Sequence, residues 1–280
     1  MIRVSRPSNT AENCTVRAPD VAQTAAFGPR FPAAGNILGH PLPHLNLGDR
    51  LLLRGLALIA RRQIVAVHGL QHVRAAADPF ILAANHNTCC ESLLVPAVLF
   101  LHRGGRLMHF LADWNFRLIP GVGYIYSRAQ VVTVTRKPAK PRFLNVLKPL
   151  YRGPLPPLER ARRHLTAGRS IGIFPEGQVN RDPDQLLRGR RGAARLSLET
   201  GVPVVPMGIR FPGLEPGRRI RDSAAMELCI GAPLVPPAPA CEPASLETVT
   251  HWHAAIMSEV ARLSGKQWTA RSKEANHGRS

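Results

Sequence analysis

Hydrophobic residues in the middle of the chain form short runs that alternate with longer amphipathic stretches. Short apolar or β-branched runs between turn residues are typical of buried strands, and longer stretches with a period of 3.6 residues are typical of helices. The predicted strands are IVAVHGLQHV, PFILAAN, VGYIYS, VVTVT, SIGIFP and VPVVPMGIRF. The predicted helices cover residues 51–63, 88–101, 156–167, 192–201 and 245–263.

The alternation of strands with helices predicts an α/β fold with a mostly parallel β-sheet flanked by helices. Residues 1–45 mix Pro, Gly, Ala and scattered charge without periodicity, so we predict a flexible N-terminal arm. One domain is predicted for residues 46–265. Residues 266–280 are polar and are predicted to be a flexible C-terminal tail.

The first predicted helix is rich in both leucine and arginine, and Asp49 is placed to cap it. Such a helix is suited to a membrane interface, where its arginines would meet lipid head groups. Packing of the same helix against the domain core explains its pattern equally well. The sequence leaves both interpretations open.

The net charge of the chain narrows the classes of ligand that the protein is expected to bind. Lys and Arg number 37 against 18 Asp and Glu, which gives a formal net charge of +19. Residues 102–163 hold much of this excess. Aromatic residues are only 5% of the chain, whereas proteins that bind single strands usually combine basic groups with stacking aromatics. A ligand that carries phosphate, or an anionic membrane surface, is therefore favoured over a nucleic acid.

The five cysteines include no CxxC pair, so neither a disulfide framework nor a zinc site is predicted. The N-terminus has no apolar run of signal-peptide length, which predicts a cytoplasmic setting. The longest apolar run, residues 93–101, is about half the length of a spanning helix.

In the segment NHNTCCES, His86 lies just beyond a predicted strand and Glu91 lies in the first turn of the next helix. A turn between the two elements would bring the carboxylate to the imidazole, where it would hold the tautomer of a general base. Thr88 and Glu91 also form a capping-box pattern, which on its own is the commoner explanation. The two interpretations are compatible because a carboxylate has two acceptor oxygens.

Two further groups of residues follow predicted strands. The segment Phe174–Gly177 ends the strand SIGIFP, at the edge where open α/β sheets bind ligands. Arg136 ends the strand VVTVT and could clamp a phosphate. When each feature is taken alone, a plain turn and a solvated charge pair are the commoner explanations.

Taken in order, the segments NHNTCCE, VVTVTRK, IFPEG and RGAARLSLETGVPVVPMGI resemble the four sequence blocks of the glycerolipid acyltransferase family. That family includes the lysophosphatidic acid acyltransferases. The resemblance covers about residues 64–212 and is most specific at Asn85-His86, at Phe174–Gly177 and in the GVPVVP segment. It implies the glycerolipid acyltransferase fold.

The resemblance also implies a role for each block. It makes His86 the general base and Glu91 its acidic partner. The residues that it implies for substrate binding are Arg136, Phe174, Pro175, Glu176, Gly177 and Arg181. Of these, Arg136 is expected to meet the acceptor phosphate and Glu176 and Gly177 to contact the acceptor. Backbone amides near Gly177 are expected to hold the oxyanion.

Two departures from the family pattern bear on specificity. Glu91 stands where the family usually has Asp. The usual Thr-Arg-Ser after the third block is replaced by residues 178–180, with Arg181 two places late. The acceptor head group therefore stays open: 1-acylglycerol-3-phosphate is the first expectation, and lyso-ornithine lipid or another lysolipid is an alternative.

The implied reaction moves a fatty acyl group from acyl-CoA or acyl carrier protein to the hydroxyl of the acceptor. No metal and no bound cofactor are expected. The expected partners are the acyl donor and membrane lipids, with no nucleic acid, at the cytoplasmic side of a membrane; the oligomeric state stays open. A non-catalytic relative that binds anionic lipid is a rival hypothesis. A nucleic-acid binder would leave the four ordered blocks unexplained.

Overall fold

The computed structural model describes residues 32–119, 121–139, 141–215, 217–237 and 244–270. The helices are α1 (Ala34–Gly39), α2 (Leu47–Ala60), α3 (Glu91–His102), α4 (Val122–Arg128), α5 (Pro157–Thr166), α6 (Gly192–Thr200) and α7 (Leu246–Ser264). The strands are β1 (Ile64–His68), β2 (Ile81–Ala84), β3 (His109–Asp113), β4 (Val132–Val134), β5 (Ile171–Ile173), β6 (Val204–Arg210) and β7 (Met226–Ile230). Short 3₁₀ segments cover Leu70–Val73, Ala75–Ala77, Trp114–Leu118 and Arg142–Tyr151.

Within these residues the strands form one sheet in the order β1-β7-β6-β2-β5-β3-β4. Every neighbouring pair is parallel except β6 and β7, which are antiparallel. The prediction of a mostly parallel sheet flanked by helices is confirmed. Strands β3 and β7 were not predicted from the sequence.

Strand β2 lies at the centre of the sheet and sets the position of the site. Its residue Ile81 is in register with Ile171 of β5 and with Val204 of β6. Since all three strands run in the same direction, the segments that follow β2 and β5 emerge at the same edge of the sheet.

Two hydrophobic clusters cover the two faces of the sheet. Leu82 and Ala84 of β2 belong to the cluster that includes α2 and α3. Ile81 and Ala83 belong to the cluster formed with α5, α6 and α7. This alternation is the period of two expected for a strand that is buried on both faces.

Helix α2 packs on α3 and buries Leu53, Ala57 and Ala60. Its N-cap is Asn46, whose side chain accepts a hydrogen bond from the Asp49 N–H; the prediction that Asp49 caps the helix is wrong. Asp49 lies in the first turn and forms an ion pair with Arg128 instead. The interpretation that this helix packs on the domain core is therefore confirmed, while its contact with a membrane stays a prediction.

The segment VGYIYS is the helix α4 and not a strand. Its aromatic and β-branched residues favour a strand, but the chain turns at Gly121 and buries only Tyr126 of this helix. A Cβ at Gly123 would lie 2.5 Å from the carbonyl oxygen of Arg117, so glycine permits close packing of α4 on the preceding 3₁₀ turn. Tertiary packing here overrides local propensity.

The structure describes residues beyond the predicted domain 46–265 at both of its ends. Within the predicted arm, α1 buries Ile37, and Leu42 is buried after it. Within the predicted tail, Lys266 is buried and the Gln267 N–H donates to the Asp184 carbonyl at 2.7 Å. Residues 1–31 and 271–280 lie outside the described residues. Among the helices that the structure describes, none combines the length and hydrophobicity needed to cross a bilayer.

Candidate active site

Asn85 fixes the end of β2, from which His86 projects. Its side-chain oxygen accepts from the Ile209 N–H at 2.7 Å, and its amide nitrogen donates to the Ile209 carbonyl at 3.1 Å. This pair of hydrogen bonds ties the turn after β2 to β6. The buried side chain of His86 therefore starts from a rigid backbone.

His86 and Glu91 are brought together as the sequence predicts. The His86 Nδ1 atom lies 3.0 Å from Glu91 Oε2, and the Glu91 side chain is fully buried. Because an ionised carboxylate only accepts hydrogen bonds, Nδ1 carries the proton and Nε2 keeps a free lone pair. This is the tautomer that a general base requires.

The backbone and side chain of Asn87 hold the carboxylate in place. The Asn87 N–H donates to Glu91 Oε2 at 2.7 Å, and its side-chain amide donates to Oε1 at 3.2 Å. The capping box does not form: helix α3 begins at Glu91, and the buried Thr88 hydroxyl has no hydrogen-bond partner among the described residues. Glu91 therefore serves His86 and Asn87.

The turn after β5 forms one wall beside the imidazole. The Phe174 ring stacks on His86 with ring centroids 4.5 Å apart. Gly177 has φ of +67° and its N–H donates to the Phe174 carbonyl at 3.0 Å, which closes the turn. That hydrogen bond engages the Gly177 N–H, while an oxyanion site formed by backbone amides near Gly177 stays a prediction.

Glu176 is buried behind this turn and faces the protein. Its Oε1 accepts from the His86 N–H at 3.0 Å, and its Oε2 accepts from Asn180 Nδ2 at 2.8 Å and from the Leu187 N–H at 2.9 Å. Burial raises the pKa of the Glu176 carboxyl, and these three donors oppose the rise. Glu176 does not line the cavity, and its hydrogen bonds support the turn; its contact with the acceptor stays a prediction.

A cavity of about 1020 Å³ opens beside His86 and Phe174. Most of its wall is apolar, with side chains from α2, α3, β3 and α4. The apolar wall includes Leu52, Leu56, Leu93, Pro96, Phe100, Met108, Phe110, Ile125 and Ile173. An apolar cavity of this size beside an imidazole can accommodate a fatty chain, since each buried methylene favours binding by about 0.8 kcal/mol.

Basic residues line part of the same cavity. They are Arg128, Arg136, Lys137, Arg190, Arg191 and Arg195. Arg128 is paired with Asp49. Arg136 is exposed at the cavity, as expected for a residue that meets a phosphate.

Arg181 lies elsewhere and Arg190 takes a position beside the turn. The Arg181 guanidinium donates to the Asp222 carboxylate at 2.6 Å and to the Ile220 carbonyl at 3.1 Å, and it does not line the cavity. The Arg190 N–H donates to the Pro175 carbonyl at 2.7 Å, and a Cβ at Gly177 would lie 2.8 Å from Arg190 Nε. Sequence reasoning missed Arg190 because nothing distinguishes it from the other arginines of its loop.

A buried lysine from the C-terminal segment was also missed. Lys266 Nζ donates to Asn87 Oδ1 and to the Asp182 carbonyl, the latter at 2.6 Å. Lys266 and Asn87 are 179 positions apart in the chain, so no local pattern could reveal the contact. In the part of the chain that the structure describes, no group of three His, Cys, Asp or Glu side chains has the arrangement of a metal site.

Comparison with known proteins agrees with this geometry. The family model described as Acyltransferase matches residues 64–210. A curated relative, the chloroplastic 1-acyl-sn-glycerol-3-phosphate acyltransferase of Brassica napus, is 26% identical over 147 residues. The match covers 52% of this chain and 37% of that protein, so the chain spans little more than a third of its relative.

A solved structure has the same fold. The 1-acyl-sn-glycerophosphate acyltransferase PlsC of Thermotoga maritima matches with a TM-score of 0.50 and 20% sequence identity, over 83% of this chain and 89% of that chain. The family match contains His86, Arg136 and the turn Phe174–Gly177, and it confirms the resemblance carried by the four sequence blocks. The chain belongs to the acyltransferase family of glycerolipid enzymes.

Proposed function

We propose that this protein is an O-acyltransferase that moves a fatty acyl group from the thioester of acyl-CoA or acyl carrier protein to the hydroxyl of a lysophospholipid. The acceptor proposed first is 1-acylglycerol-3-phosphate. The observation that carries the proposal is the His86–Glu91 hydrogen bond of 3.0 Å at the wall of a large apolar cavity with basic residues.

In the proposed reaction, neutral His86 removes the proton of the acceptor hydroxyl through Nε2. The oxygen attacks the thioester carbonyl carbon and forms a C–O bond, and the tetrahedral intermediate collapses as the C–S bond breaks. The thiolate then takes the proton back from the imidazolium and leaves as a thiol. Glu91 stabilises the imidazolium between these steps.

The basic residues suggest how the acceptor binds. Arg181 is held by Asp222, whereas Arg136, Lys137 and Arg190 line the cavity without an ion-pair partner among the described residues. We assign the phosphate of the acceptor to Arg136 and Arg190, because guanidinium groups bind phosphate oxygens in a bidentate manner. Phe174, Pro175 and Gly177 line the cavity beside the reacting atoms.

We further propose that the protein works at the surface of an anionic membrane. The segment Arg142–Tyr151 leaves Phe143, Val146 and Leu150 exposed by 74, 76 and 77%. The basic residues Arg142, Lys148 and Arg152 accompany them, and no acidic residue occurs between Asp113 and Glu159. Apolar side chains among cations complement the boundary between acyl chains and anionic head groups. The same segment follows Arg136 and Lys137 of the cavity, so the bilayer would lie close to the place where lipids enter.

The catalytic proposal is tested by following thiol release from palmitoyl-CoA with a panel of acceptors. The panel contains 1-acylglycerol-3-phosphate, lysophosphatidylethanolamine and lyso-ornithine lipid. We expect His86→Ala to lower kcat by at least about a hundredfold, since general acid–base catalysis contributes about 10²–10⁴.

His251→Ala is the matched control, because His251 is an exposed histidine that does not line the cavity. Its rate should equal that of the wild type. Full activity of His86→Ala would remove His86 as the base. Absence of acyl transfer from the wild type to every acceptor would favour the rival hypothesis of a non-catalytic lipid binder.

A further inference from the structure

Lys266 brings a positive charge into the interior behind the site. Its side chain is 7% exposed and follows the end of α7. Its two hydrogen bonds go to neutral oxygens, the Asn87 side chain and the Asp182 carbonyl. Burial lowers the pKa of Lys266, while Glu176, Glu91, Asp182 and Asp184 oppose that change. A buried ammonium persists only where nearby negative charge compensates for its lost hydration.

The hydrogen bond from Lys266 helps to fix which way the Asn87 amide points, together with a longer one of 3.4 Å from Asn85 Nδ2 to the same Asn87 oxygen. An ammonium can only donate, so the atom that faces it must be the amide oxygen. The amide nitrogen of Asn87 must then face Glu91, where it donates to Oε1 at 3.2 Å. The other oxygen of Glu91 remains for His86. Lys266 therefore sets a chain of contacts that ends at the imidazole.

The two buried carboxyl groups beside His86 also favour a positive charge nearby. Glu91 and Glu176 are both buried, and both lie against the backbone or side chain of His86. While His86 is neutral, Lys266 is the buried cation that the structure places near these two carboxylates among the described residues. The Arg181–Asp222 pair lies beyond Cys89, is more exposed, and is close to neutral as a unit.

From these contacts we propose that Lys266 is a positioning residue for the His86–Glu91 pair, which orients Asn87 and keeps Glu91 aimed at His86 Nδ1. Lys266 does not line the cavity. The inference rests on the proposed function of His86 as a general base.

Loss of the ammonium should change the pH dependence of catalysis. The charged groups that face the pair are Glu91 from α3, Glu176 from the turn after β5, Asp182 and Asp184 from the following loop, and Lys266 from the segment after α7. Removal of the Lys266 charge favours uptake of a proton by the pair. The acid limb of the kcat/KM profile should therefore move to higher pH, by about one unit, which corresponds to a tenfold change in proton affinity.

The experiment compares three variants of the full chain in the acyl-CoA assay between pH 5 and 9, a range of about four units around the usual histidine pKa. Lys266→Met removes the charge and keeps most of the stem, and Lys266→Arg keeps the charge. Gln267→Ala is the matched control, because it removes the neighbouring contact between Gln185 and the Gln267 side chain without touching Asn87.

We expect the acid limb to move to higher pH in Lys266→Met, to return toward the wild-type position in Lys266→Arg, and to be unchanged in Gln267→Ala. If Lys266→Met does not fold, Lys266→Gln replaces it, since Gln keeps a donor for Asn87 without the charge. Circular dichroism and thermal unfolding identify the folded variants.

Two results would overturn the inference, and they differ from each other. An active wild type whose charge-free variants keep the wild-type acid limb would reject the role of Lys266 alone. A wild type without acyl transfer to any acceptor would reject the proposed function, and the role of Lys266 with it.

Discussion

At the scale of single residues, the buried carboxylates of this site have different tasks. Glu91 holds the imidazole of His86, whereas Glu176 holds the backbone at His86 and at Leu187. The sequence places both residues near one another but gives no sign of this division, because burial and hydrogen-bond partners depend on how the turn after β5 folds back. Glu176 is thus a support of the site in this structure.

Replacement of Glu176 distinguishes support from contact with the acceptor. In Glu176→Gln, one accepting oxygen is replaced by an NH₂ group, which only donates. That NH₂ group would face an N–H or NH₂ donor, and the two donors could not form a hydrogen bond. We expect the free energy of unfolding to fall by about 1–3 kcal/mol, the usual cost of an unsatisfied buried polar group. Urea denaturation measures this change.

Gln178→Ala is the control for Glu176→Gln, because Gln178 lines the cavity in the same turn. Its unfolding free energy should stay within about 0.5 kcal/mol of the wild type. Unchanged stability of Glu176→Gln together with a raised KM for the lysolipid would instead show that Glu176 contacts the acceptor.

At the scale of elements, β3 and α5 meet through two histidines. His109 of β3 is buried and stacks on His164 of α5 with ring centroids 3.9 Å apart. Burial, with a smaller contribution from the His164 charge, lowers the pKa of His109 to about 4. The folded protein therefore keeps His109 neutral at pH values where the unfolded chain binds a proton.

This contact predicts an acid-sensitive packing of β3 on α5. Stability contributed by neutral His109 is fully present above the unfolded pKa of about 6.5 and is lost as the pH falls toward 4, by up to about 3 kcal/mol. We expect His109→Gln to lose less stability between pH 7 and pH 4.5 than the wild type, as measured by urea denaturation. His251→Gln, with an exposed histidine, should retain the wild-type dependence; equal slopes in both variants would contradict this account.

The strands that the sequence predicted correctly near the site are those whose apolar run is bounded by residues that end a strand. Strands β2 and β5 are short apolar runs that stop at polar or turn residues, so the position of His86 and of the segment Phe174–Gly177 at the same edge was predictable. Helix α4 was misassigned because its side chains favour a strand and its helical form depends on packing at Gly123. Strands β3 and β7 lie in stretches without a clear alternation.

At the scale of the whole molecule, the positive charge divides between the cavity and the outer surface. Arg136 and Arg190 line the cavity, whereas Arg142 and Arg152 lie on the surface near exposed apolar side chains. Net charge alone indicated an anionic ligand without distinguishing a phosphate substrate from a membrane. The two proposals assign separate residues to the phosphate and to the membrane.

The proposed membrane surface predicts a specific loss of vesicle binding. We expect the wild type to sediment with phosphatidylglycerol vesicles more than with phosphatidylcholine vesicles, and less at high salt. Phe143→Ser/Leu150→Ser should weaken binding by about tenfold or more, because each apolar side chain contributes more than about 1 kcal/mol when buried.

Val235→Ser/Leu246→Ser is the matched control, since these residues are exposed by 75 and 70% on another part of the molecule. It should bind vesicles as the wild type does. Equal loss of vesicle binding in both double variants would mean that exposed apolar residues in general, and not this segment, hold the protein on vesicles. Loss of binding to an acidic carrier protein alone, with vesicle binding intact, would assign the surface to that protein instead of a bilayer.

The contact between Lys266 and Asn87 joins a residue outside the family match to the turn that follows β2. The family match ends at residue 210, and the seven strands are complete at Ile230. A shortened version cut after α7 would retain all the strands and helices and would still lose the ammonium that faces Asn87. On the proposed role of Lys266, residues just after α7 help to position a base that follows the central strand β2, so a tag or truncation needs to spare them.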